Sequence, residues 1–107
     1  MTPAEFVTHW RKEKDDLLAL FMGTRSETLV SQKISSMGLT AQQTMVLLDV
    51  LDLALTDTFY TLLLGLDGAA SIGGVQHGYR VLDENGDLIC GDGCVVSEAY
   101  AQLQVDS

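Results

Sequence analysis

The residues most able to do chemistry are two cysteines and two histidines, Cys90, Cys94, His9 and His77. A structural zinc site takes four ligands in paired short spacings, and the single Cys90/Cys94 pair has no second pair to complete it. No metal is expected. A nucleophile system could be assembled from Cys90 or Cys94 with His77 and Asp67 if the fold brought them together. No nucleophile elbow marks such a site, so a small Cys/His enzyme ranks last among the readings and the chain is expected not to be an enzyme. Asp83, Asn85, Asp87 and Asp92 have the residue types of a calcium loop. Gly86 falls at the fourth position of that pattern instead of the sixth, however, and no Glu fills the twelfth. The glycines between 65 and 74 follow no strand and form neither the dinucleotide nor the P-loop fingerprint. No cofactor is expected.

Carboxylates are the other candidate group. Residues 1–38 balance five acids (Glu5, Glu13, Asp15, Asp16, Glu27) against five bases (Arg11, Lys12, Lys14, Arg25, Lys33), whereas residues 39–107 carry ten acids against Arg80 alone. The net charge of −9 therefore belongs to the later part of the chain. Such a surface repels nucleic acid and anionic lipid and steers basic proteins toward it. Carboxylates that face one another across a turn are either screened by water or held by a cation.

Positioning these groups requires helices first. Thr2-Pro3-Ala4-Glu5 has the form of a capping box with Pro at the first helical position, and Phe6, Trp10, Leu17 and Phe21 follow on one stripe. Phe6 and Trp10 are read as core, Arg11 to Asp16 as the solvated face, and Gly23 as the stop. Thr24 or Ser26 can cap a second helix with Leu29, Val30, Ile34 and Met37 along one edge, and Gly38 can close it in the left-handed region. Thr40-Ala41-Gln42-Gln43 repeats the capping box ahead of an apolar run to Leu66. That run approaches membrane-spanning length, but Asp49, Asp52 and Asp57 interrupt it, so it reads as a buried core helix. Thr56-Asp57-Thr58 leaves open whether it is one helix or two.

After the Gly-rich segment 65–74, Tyr79-Arg80-Val81-Leu82 and Leu88-Ile89-Cys90 flank Asp83-Glu84-Asn85-Gly86-Asp87, which predicts a hairpin. A two-residue Asn85-Gly86 turn sets Glu84 opposite Asp87, and a type I turn with a bulge at Gly86 sets Asp83 opposite Asp87. Val96, Ala99, Tyr100 and Leu103 keep helical spacing and predict a short last helix. The expected fold is one α+β domain over 1–107, mainly helical with three to four helices, a long central helix and a C-terminal β-hairpin packed on the helices. A hydrophobic content of 47% with one Pro excludes disorder. The first residues carry no basic and apolar leader, so the expected compartment is the cytoplasm.

The stretch from Thr56-Asp57-Thr58-Phe59-Tyr60 through Leu64-Gly65-Leu66-Asp67-Gly68, Ser71-Ile72-Gly73-Gly74, Gln76, Tyr79 and Asp83-Glu84-Asn85-Gly86 resembles small bacterial immunity-type proteins of polymorphic toxin systems. The resemblance implies a cytoplasmic inhibitor that binds one cognate protein toxin, expected to be basic, and occludes or distorts its active site. Binding residues gather on loops held by a scaffold. The expected partner-facing set is therefore Asp49, Asp52, Asp57, Asp67, Gln76, Tyr79, Asp83, Glu84 and Asp87, with no nucleic acid or membrane as partner. The alternative is an acidic inhibitor that mimics nucleic-acid charge, of the anti-nuclease or anti-CRISPR type. Clustering of the acids around turns, instead of along one face at phosphate-like intervals, counts against it.

Overall fold

The computed structural model describes residues 1–24 and 26–105. Three capping boxes start its main helices. In α1 (Pro3–Phe21) the Thr2 hydroxyl accepts from the Glu5 amide at 3.1 Å while the Glu5 carboxylate accepts from the Thr2 amide at 3.2 Å. In α3 (Ala41–Leu66) Thr40 and Gln43 do the same. The reciprocal cap of α2 (Leu29–Ser36) is Thr28 with Ser31, not Thr24 or Ser26 as the sequence suggested. Thr24 is already engaged: its hydroxyl donates to the Ala19 carbonyl at the end of α1.

The central run is one unbroken helix of 26 residues. Thr58 returns its hydroxyl to the Ala54 carbonyl at 2.7 Å, so it bonds within the helix instead of competing with it. At about 1.5 Å per residue such a helix is about 39 Å long and sets most of the 47 Å long axis of the molecule. No described helix is long and apolar enough to cross a membrane.

Two short antiparallel strands, β1 (Val81–Leu82) and β2 (Leu88–Cys90), form the hairpin, with Leu82 opposite Leu88 and a register irregularity before Val81 pairs with Cys90. The Asp83 amide donates to the Asp87 carbonyl and the Gly86 amide to the Asp83 carbonyl. Of the two registers open in the sequence, this is the one that sets Asp83 opposite Asp87. It needs a left-handed residue, which Gly86 supplies at φ +84°. The chain closes with α4 (Val96–Tyr100) and a π-helical turn, Ala101–Val105.

The core gathers Val7, Leu63, Cys90, Val95, Ala99 and Leu103, all fully buried, with Phe6, Trp10, Phe59, Tyr60, Leu66 and Val81 packed against them. It lies where α1, the C-terminal half of α3, β2 and the last two helical segments meet. The fold is thus mainly helical α+β with a small hairpin laid on the helices. Two expectations fail in packing. Lys14, assigned to the solvated face of α1, is buried and bridges Asp15 at 2.9 Å and Asp52 at 2.7 Å. Burial pulls its pKa down, but hydrogen bonds and charge from the two carboxylates outweigh that and leave it raised. The central helix is a core helix only in its second half: Met45, Val46, Val50 and Leu53 are exposed, although Lys14 of α1 reaches Asp52 on another side of the same stretch.

Candidate functional site

Two features of the hairpin fix the walls of a groove. β2 turns Ile89 and Cys90 inward against the helices, which anchors the hairpin beside α1. Asp83 then rigidifies the turn: its Oδ1 accepts from the amides of Asn85 and Asp87 at 2.9 and 3.0 Å. Its Oδ2 lies 3.5 Å from the Met1 ammonium. The Asp87 amide, then the Asn85 amide and the ammonium, hold the Asp83 carboxyl below its ordinary pKa despite some desolvation.

Between this turn and α1 runs a cleft of about 620 Å³. Its apolar wall is a three-ring stack. Phe6 and Trp10, one helical turn apart on α1, have centroids 5.8 Å apart, and Trp10 meets Phe59 of α3 edge-on at 5.6 Å and 77°. Val81, Leu82 and Ile89 continue that wall on the hairpin side. Glu13 and His9 of α1 and Asp83, Glu84 and Asn85 of the turn make the polar rim. Glu13 and Glu84 have no ion-pair partner among the described residues. The cleft therefore combines aromatic rings with two carboxylates that have no ion-pair partner among the described residues, a combination that suits a cation carried on an apolar stem.

Of the residues expected to face a partner, only Asp83 and Glu84 reach this groove. Asp87 is exposed on the far side of the turn. Asp49 and Asp57 are exposed on α3 away from it, with Asp57 accepting from Gln104 at 3.4 Å, and Asp52 is tied to Lys14. Gln76 braces its own loop by donating to the Gly68 carbonyl at 2.8 Å. Tyr79 is half-buried, with its ring edge-on to His77 at 6.4 Å.

Asp67 is misplaced in the sequence reading. It is 4% exposed, and its carboxylate accepts four backbone amides: Gly91 and Gly93 on Oδ1 at 2.8 and 3.0 Å, Val95 and Val96 on Oδ2 at 2.8 and 3.0 Å. It therefore supplies the cap that α4 lacks locally and ties the end of α3 to the chain after β2. Gly91 makes this clamp possible, since at φ +122° it passes so close to the Tyr79 carbonyl that a Cβ would collide with it.

The thiols fall outside the groove. Burial, and after it the charge of Asp67, pushes the Cys90 thiol up to about 12. Cys94 is exposed and is raised as well, chiefly by its hydrogen bond to Asp92. Both shifts favour the protonated, less nucleophilic form. Among the described residues no three His, Cys, Asp or Glu side chains converge as metal ligands.

What sequence reasoning missed is the aromatic wall. Phe6 and Trp10 are half-buried and pack on the core, as read, but one side of each lines the cleft. The usable signal was the i, i+4 spacing of Phe6 and Trp10 with His9 and Glu13 on the same side of α1. Comparison with protein-family models, curated proteins and solved structures finds no match to this chain.

Proposed function

We propose that the chain is an immunity-type protein that binds a cognate bacterial toxin domain in the cytoplasm and neutralises it by stoichiometric occlusion. The groove between α1 and the hairpin receives a lysine or arginine side chain of that basic partner. The observation that carries this reading is the pairing of the Phe6–Trp10–Phe59 wall with the carboxylates of Glu13 and Glu84, which have no ion-pair partner among the described residues. A desolvated cation over an aromatic face gains about 2 kcal/mol or more, and a nearby carboxylate adds a charge-assisted hydrogen bond. The acid-rich surface beyond residue 38 speeds encounter, while the groove fixes orientation. Two free cysteines accord with a reducing compartment.

The test is co-purification of the tagged protein with the product of its neighbouring gene, followed by titration. Trp10 is the only tryptophan of the chain, so its emission reports directly on the groove. A stable complex with one toxin domain per chain and a shifted Trp10 emission is expected. Replacing Glu13 and Glu84 by Gln should slow association roughly tenfold at low salt, with the difference shrinking as salt rises. A tight complex that leaves both the emission and the association rate unchanged would move the interface away from the groove. Failure to form any complex would remove the immunity reading itself.

A further inference from the structure

We infer that the face formed by α2 and the N-terminal half of α3 is the contact surface between two copies of this chain. Size and shape motivate the inference. The radius of gyration is 16.1 Å, whereas a compact domain of this length has roughly 13 Å. The accessible surface is 6791 Å², against roughly 5,800 Å² for a compact monomer of this mass. The surplus of roughly 1,000 Å² is close to the roughly 800 Å² that each partner contributes to a standard stable interface.

Exposed apolar side chains are concentrated on this face. Leu29 is 86% exposed, Leu53 65% and Met45 62%. Val46, Val50 and Leu53 stand at spacings of four and three, which gives one stripe along α3. On another side of the same helix, Leu47 and Leu51 form with Ile34 and Met37 of α2 an open groove of about 360 Å³. Exposed apolar residues gathered on α2 and on neighbouring sides of one half of α3 mark a contact surface.

Charge selects a second copy as the occupant. Along α2 and the first part of α3, Lys33 and Asp49, one charge of each sign, have no ion-pair partner among the described residues, and Asp52 bonds to Lys14, which it shares with Asp15. A basic partner finds almost nothing there to pair with. Two chains of net charge −9, on the other hand, can approach closely only where the local charge is near zero. A two-fold pairing presents the same patch from both sides, so Lys33 and Asp49 each occur twice at the contact, and the acid-rimmed groove between α1 and the hairpin stays open on each copy.

Sedimentation equilibrium over roughly 1 to 100 µM protein tests this, since a self-association shifts by mass action with concentration. The expected species is twice the 11.6 kDa chain, with an unfolding midpoint that rises with concentration. The double variant Val50→Glu, Leu53→Glu should keep its helical circular dichroism, because both positions are exposed in the single chain, and should associate at least about tenfold more weakly. If that variant fails to fold, the concentration dependence of the unmodified protein's midpoint decides. A mass of 11.6 kDa and a constant midpoint throughout the range would overturn the inference, as would a folded double variant that dimerises as before.

Discussion

Within α3, the residues Ala41 to Leu55 and the residues Thr56 to Leu66 are comparably apolar and share one unbroken hydrogen-bond ladder, yet their surroundings differ. In the second half Thr56, Leu63 and Gly65 are buried, Leu63 within the core cluster and Gly65 against the Ile72 side chain, and Asp67 just beyond binds four amides of the following chain. In the first half no residue is buried, and α2 covers one side incompletely. Helical hydrophobicity thus specifies burial somewhere without specifying what does the burying. One half is covered by its own chain, and the other awaits a second one.

The largest effect should come from removing the clamp that ends the packed half. Asp67→Ala leaves four amide donors without their acceptor and should lower stability by about 3–5 kcal/mol, with Asp67→Asn intermediate. Urea unfolding measures it, and a loss below about 1 kcal/mol would mean that water replaces the carboxylate at little cost. Truncating one leucine in each half separates the two environments. Leu63→Ala, in the core, should cost about 2–5 kcal/mol, while Leu53→Ala, measured at a concentration where the chain is monomeric, should stay within about 0.5 kcal/mol. Equal losses would erase the distinction between the halves.

The smallest effect concerns the hairpin. The Asp83 carboxyl is held below its ordinary pKa, so it contributes stability that is present above the unfolded value and lost as pH falls through the lower folded one. Asp83→Asn should therefore be slightly less stable than the unmodified protein at neutral pH, and the gap should narrow as pH falls through the lowered pKa of the folded state. Urea midpoints followed from neutral pH down into the acid range check it. A gap that shows no narrowing with falling pH would show that the ionised carboxylate does not hold the turn.

The elements that organise themselves locally were legible in the residues. Thr2, Pro3 and Glu5 start a helix wherever they stand together, Thr40 and Gln43 do likewise, and Asn85-Gly86 demands a turn. The features decided by residues distant in sequence were not. Asp67 looks like a loop acid until Gly91 and Val95 arrive more than twenty positions later to bind it. Lys14 looks solvated until α3 brings Asp52 against it. The candidate site shows the same division. Asp83 and Glu84 were readable as turn carboxylates, but the cleft exists only because Phe59 completes a ring stack begun on α1. The cover over α3 was illegible for a further reason, since the same apolar pattern describes a helix buried by its own chain and one buried by another.

The core cluster that contains both Val7 and Leu103 also fixes an order of events in time. The first helix and the segment after α4 are stitched together there: Gln102 donates to the Ala4 carbonyl, and Thr8 donates to the Gln102 side chain. A chain released from the ribosome from its N-terminus onward exposes α1 and then all of α3 before the segment that seals them exists. Its helices can form early, being local, but the contacts that close the core span nearly the entire sequence and bear the loop-closure cost that slows folding. The nascent domain is therefore unsealed until the segment around Leu103 has been made, and that segment acts as the latch of the first helix.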